Sequence, residues 1–409
     1  MNSRHLKSSA LALLAGAGLC LNTSNAAAEP VQFARDVQSI LESRCLECHN
    51  PEKVKGGLLM HTAEAMLKGG DSGAGLVPGK PDASEIIRRL ELPADDDELM
   101  PPKKSGEALS AAQIKLLKEW VSAGAKWPDG LTLRHRSAEE LKAQERLHAK
   151  MDQLQKIEIL PASYRLETRE DFHQVVVMAT FADATTQDVT AFSGLRVADA
   201  KVAALDNDVI RPVADSGKTE LVAAIGDKTA TAAVEVTKGQ QPRSISWRLD
   251  VMPVFMRGNC NSGGCHGAAR GKDGFRLSLF GMDPAGDYER VTREMPGRRV
   301  NLAIPEESTL IEKASGAVPH SVDQCFDEKS AYYKTLLDWI SIGAPNDKPD
   351  VATVTGIEVF PKQIVLEGEG SRQQMTVRAS YSDGTDRDVT SLALFMSNND
   401  PVATINKDG

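Results

Sequence analysis

Two thiols and an imidazole in the order Cys45-Leu46-Glu47-Cys48-His49 have the types and spacing to hold an iron porphyrin. Thiols three positions apart can add to the two vinyl groups of one haem, and the adjacent imidazole then sits under the iron, the c-type attachment pattern. The competing chemistry of Cys-x-x-Cys, dithiol exchange, wants a βαβ setting. Here Phe33, Val37, Ile40 and Leu41 recur at helical spacing ahead of Cys45, which predicts a helix leading into the motif. The second axial ligand has to come from downstream. Met100, in "DDDELMPPKK", stands between acids and lysines, poor company for a core methionine, and is read as the distal ligand. Thioether ligation raises the potential of a histidine-ligated haem and suits electron transfer. His49 and Met100 are thus the expected iron ligands, with Cys45 and Cys48 as anchors.

A stretched version of the motif stands in "GNCNSGGCHG", where four residues separate Cys260 from Cys265 and His266 follows. The text after it runs parallel to the text after His49. Gly57 matches Gly274, Pro81-x-x-Ser84 matches Pro305-x-x-Ser308, and "EWVSAGA" matches "DWISIGA". An internal duplication of this kind outweighs an isolated motif. It places Cys260, Cys265 and His266 at a second haem position, with Gly263 and Gly264 giving the longer loop its freedom. Val318 stands where Met100 stood, and His320, two positions on, is the expected distal ligand. Two other chemistries stay open: a Cys260–Cys265 disulfide leaving Cys325 free, and a zinc site from Cys260, Cys265, Cys325 and a histidine. An iron without a distal ligand would be open to peroxidase-like chemistry.

The elements that position these groups can be read as well. Ser110 and Gln113 form a capping box, and Ile114, Leu117, Trp120 and Val121 form the apolar stripe of a closing helix whose Trp120 packs against the first helix. Pro253 suits the first turn of the helix before Cys260. The charged run from Arg136 to Gln155 predicts a solvated connecting helix, with His148 and Met151 at its surface. "QVVVMATFAD" and "QMTVRASYSD" alternate as strands do, with turns at Asp183-Ala184 and Asp383-Gly384, and the two stretches repeat at a constant interval through "DVT". Antiparallel strands of a small sandwich follow, with the acids near "DVT" as turn caps.

Arg4, His5 and Lys7, the apolar run Ala10 to Leu21 and the small residues Ser24 to Ala28 read as a secretory signal peptide over 1–28. Five cysteines follow it, an odd number that a pure disulfide framework outside the cytoplasm would not leave. A net charge of −9 argues against nucleic acid, and no later stretch is long and apolar enough to predict a transmembrane helix.

The stretch from Val31 to Asp129, with "CLECH", "GGLLM", "LVPGKPDASEII", "LMPP" and "EWVSAGA", resembles the planctomycete-type cytochrome c domain. The resemblance implies covalent haem c, His49 as proximal and Met100 as distal ligand, and no particular redox partner. The two strand-rich repeats resemble the bacterial Ig-like group 2 domain. The expected fold class is therefore multidomain: all-α cytochrome c-like domains over 31–129 and 245–346 alternate with all-β Ig-like sandwiches over 156–237 and 355–409. A charged helical linker occupies 130–155, and the last sandwich is incomplete. This order resembles the front part of large secreted planctomycete proteins, so the chain is expected to be an N-terminal fragment. The expected function is one-electron transfer by haem in the periplasm or at the cell surface, with one haem at the first motif and a second at Cys260, Cys265, His266 and His320. The alternative is a surface interaction or carbohydrate-handling protein that binds through its Ig-like modules. No nucleophile triad or phosphate loop points to an enzyme.

Overall fold

Phe33, Val37, Ile40 and Leu41 do share a buried face, but on an irregular helix. Two five-residue π-turns, Phe33–Val37 and Leu41–Cys45, flank a single α-helical turn, α1 (Gln38–Ile40). The structure, a computed structural model, describes residues 31–409 apart from 32, 106–107, 129–130, 296 and 323. The expected signal peptide, 1–28, lies outside the described residues. The chain forms two units, the first ending at Leu141 and the second running Lys142–Gly409.

In the first unit a minimal hairpin, β1 (His49–Asn50) and β2 (Lys53–Val54), follows the motif. Asn50 builds its turn: the side-chain oxygen accepts the N–H groups of Glu52 and Lys53 at 2.8 and 2.9 Å, and Pro51 cannot continue a helix. Three helices complete the unit: α2 (Ala63–Lys68), α3 (Glu85–Leu90) and α4 (Ala111–Ser122). The capping box on α4 is present in both directions, Ser110 to Gln113 and back. Leu117, Trp120 and Val121 of α4 are buried, and the Trp120 ring lies 5.6 Å from Phe33.

The second unit opens on α5 (Ala138–Lys150), which spans the division and buries none of its residues. Leu147 and the following Met151 nevertheless pack on the β core, so Met151 is not the surface residue its charged neighbours suggested. Ten strands follow: β3 (Leu154–Leu160), β4 (Ser163–Leu166), β5 (His173–Gln174), β6 (Val176–Phe181), β7 (Thr186–Asp188), β8 (Gly194–Val197), β9 (Ala203–Asp206), β10 (Val209–Pro212), β11 (Gly217–Ile225) and β12 (Lys228–Val236). They pair as β3-β6-β7, β5-β10-β9 and β4-β12-β11-β8. The expectation of antiparallel strands holds except for β4, which runs parallel to β12. Next come α6 (Met252–Arg257), α7 (Pro284–Thr292), α8 (Thr309–Ser315) and α9 (Ala331–Ser341), with Pro253 in the first turn of α6. The sheet β13 (Val354–Phe360), β14 (Thr376–Tyr381) and β15 (Asp386–Asp388) closes the described chain.

The all-α reading of the motif-bearing regions is corrected by this layout. The described residues are a mixture, with five sheets and only short helices, and one sheet stands on the attachment motif itself. Helical periodicity was too coarse to show a reversal completed within six residues at His49–Val54.

The β repeats share two bonds at the "DVT" turn. Asp188 Oδ1 accepts the Thr190 N–H at 2.9 Å, as Asp388 Oδ1 accepts that of Thr390. Thr190 and Thr390 each accept, at 2.8 Å, the N–H of Val177 or Val377. The second carboxylate oxygens cross between repeats: Gln174 N–H donates to Asp388 at 2.8 Å and Gln374 N–H to Asp188 at 3.0 Å. A buried ion cluster ties the same unit to the helix before Cys260. Asp250 lies 2.8 Å from Arg387 and 3.4 Å from Arg243, and Arg243 lies 2.9 Å from Asp171.

Candidate functional site

The backbone of Cys45-Leu46-Glu47-Cys48-His49 closes on itself through the Cys48 N–H to the Cys45 carbonyl, 3.2 Å. His49 is half-buried, and its Nδ1 lies 3.1 Å from the Lys55 carbonyl. With Nδ1 donating to a carbonyl, the imidazole is held in the tautomer whose Nε2 keeps its lone pair, as iron requires. Burial lowers the pKa of His49, which favours the same neutral form. Gly56 and Gly57 bring the carbonyl into place with φ of 60° and 65°. A side chain on Gly57 would also reach 2.4 Å from Asp71 Oδ1. Burial pushes the Cys45 thiol up to about 12. That is the reverse of the activated thiolate a redox Cys-x-x-Cys needs, so dithiol exchange does not fit here.

Met100 stands apart on the segment after α3, half-buried, with its N–H donated to the Arg89 carbonyl at 3.0 Å. Met60 and Met66 are closed into the core at 2% and 1% exposure, whereas Met100 is only half-buried.

The stretched motif repeats the histidine's setting. His266 Nδ1 lies 3.0 Å from the Phe275 carbonyl, and burial lowers its pKa too. The His266 carbonyl accepts the Leu277 N–H at 2.8 Å, as that of His49 accepts from Met60 at 2.9 Å. Positive φ recurs at the matching residues, Asp273 and Gly274. The extra residues between the cysteines are absorbed by a wider closure, His266 N–H to the Cys260 carbonyl at 2.9 Å. Beyond the motif, the ring of His320 faces His266 with centroids 6.3 Å apart and planes 12° from parallel. Nδ1 of His320 is buried without a hydrogen-bond partner. An open hollow of about 380 Å³, lined in part by Val318, Pro319 and His320, adjoins it, within the range of small-molecule sites. Two neutral imidazoles facing one another, one with a buried nitrogen unsatisfied, fit a group that accepts nitrogen lone pairs.

The other chemistries weighed for this motif fare differently. Among the described residues no three His, Cys, Asp or Glu side chains are grouped to hold a metal ion, so the zinc site is not assembled. Cys260, Cys265 and Cys325 are all free thiols in the structure. Across Gly258 the Cys260 thiol neighbours Cys325, a residue that sequence reasoning left without a role. The orienting carbonyls of Lys55 and Phe275 were missed as well; only the paired glycines Gly57 and Gly274 marked their place.

Residues 45–104 match the family model for planctomycete cytochrome C. This segment is thus similar to a cytochrome c, a class that binds haem. No curated protein matches the chain. Among the described residues no helix is long and apolar enough to cross a membrane.

Proposed function

We propose that this protein is a secreted c-type cytochrome that carries single electrons in the periplasm or at the cell surface, with two haem centres and β modules of bacterial Ig-like type as spacers. Cys45 and Cys48 would hold the first haem, with His49 and Met100 as its iron ligands; the Cys260–Cys265 loop would anchor the second, with His266 and His320 as ligands. Haem iron supplies the reversible ferric–ferrous change. The chain's own residues attach it, present a neutral Nε2 from each proximal imidazole, and give the two centres different distal donors. The observation that carries the reading is the recurrence of one arrangement: Nδ1 of His49 and of His266, each held by a backbone carbonyl at 3.1 and 3.0 Å.

Intact mass tests it. Produced with haem maturation machinery, the chain should weigh two haems more than its polypeptide, and its reduced spectrum should show sharp c-type bands. A redox titration should resolve two steps, the lower belonging to the centre with imidazole on both faces. A chain that leaves Cys45 and Cys48 open to alkylation would refute the function.

A further inference from the structure

Cys325 has no counterpart after the first motif, yet the fold delivers it to Cys260. Its N–H donates to the Ala314 carbonyl at 2.9 Å, fixing it beside the end of α8, while the Cys260 N–H donates to the Phe255 carbonyl at 2.8 Å at the end of α6. Both side chains pack against the core around Trp247. Gly258 leaves the space in which they meet: a Cβ there would stand 3.0 Å from Cys260 Sγ and 3.5 Å from Cys325 Cβ. Each thiol also shifts the other, raising the pKa of Cys260 and lowering that of Cys325.

We propose that Cys260 and Cys325 form a disulfide, which leaves Cys265 as the one thiol of the stretched motif able to hold haem, through a single thioether. The haem half of this proposal rests on the function proposed above; the disulfide half does not. The chemistry needs a disulfide-bearing oxidant. The Cys325 thiolate attacks one of its sulfurs and expels the other as a thiolate; the Cys260 thiolate then attacks the Cys325 sulfur of the mixed disulfide and expels the oxidant's remaining sulfur as a second thiolate. Two thiols are oxidised, and the two electrons and two protons end on the oxidant, which leaves as two thiols.

Peptide mapping of the mature chain, alkylated without reduction, reads all three cysteines at once. Expected are a crosslinked Cys260–Cys325 peptide pair, lighter by two hydrogens than its separate halves, and haem on the Cys265 peptide. Reduction should release the pair and leave the haem peptide unchanged. In Cys325→Ser the freed Cys260 should become open to alkylation or take up the second vinyl group, the latter moving the pyridine haemochrome band to shorter wavelength. Cys265→Ser should lose haem from this site and keep the crosslink. Haem bound to Cys260 in the wild-type chain, or Cys325 recovered fully alkylated, overturns the disulfide. A crosslink with Cys265 alkylated overturns the single thioether and the haem reading of this site together, while the disulfide stands.

Discussion

A methionine chosen for its charged neighbours makes a sharp demand on spectroscopy. If the Met100 sulfur ligates iron, the oxidised protein should show a weak near-infrared sulfur-to-iron band, and Met100→Ala should abolish it while Cys45 and Cys48 keep the haem attached. Persistence of the band would move the ligand to Met60 or Met66, both of which would have to leave the core to serve. What could be read from the sequence at this scale was local. Cys45, Cys48 and His49 declare themselves within five letters, and so does the odd spacing of Cys260, Cys265 and His266. The carbonyls that fix the two imidazoles have no letter of their own, because any residue carries one. The meeting of Cys260 with Cys325 depends on α6 and α8 reaching one core, a closure over a long stretch of chain that no local pattern encodes.

Turns into helices carry much of the duplication's cost of error. Ser84 and Ser308 are buried at 1% and 0% exposure. Each hydroxyl accepts an N–H from seven residues upstream at 2.9 Å, Val77 in one case and Asn301 in the other. Replacing either serine with alanine strands a buried donor, for which about 1–3 kcal/mol is the usual penalty. Urea unfolding should therefore show Ser84→Ala and Ser308→Ala each lowering stability by about 2 kcal/mol. A loss within error of zero would mean that water reaches those amides. The Pro-x-x-Ser pattern marked both turns from the sequence, and the capping box at Ser110 and Gln113 was equally legible, since each motif closes within a turn. The hairpin His49–Val54 was not legible, because two residues per strand give alternation nothing to show. The parallel pairing of β4 with β12 escaped for another reason: it joins strands far apart in the chain.

Across the second unit, one buried carboxylate holds two cations from different parts of the chain. Asp250 is 5% exposed, and its partners Arg243 and Arg387 come from before and long after it. Arg387→Met should destabilise the unit by about 3 kcal/mol, since breaking a buried pair leaves a charge without enough compensation. Adding Asp250→Asn, which keeps an acceptor for the Ser246 N–H, should restore most of the loss in a thermal or denaturant titration; equal damage in the double variant would show that packing and not charge is at stake. The repeats were visible in the sequence, but the assignment of pure classes to the parts failed because a small ladder sits on the motif. The crossed bonds between Gln174 and Asp388 and between Gln374 and Asp188 carry a further consequence. Each repeat supplies one donor and one acceptor, which is the self-complementarity of a two-fold dimer interface. Held in one polypeptide, that interface is set by an effective local concentration and not by the amount of protein present, so dilution cannot separate its halves.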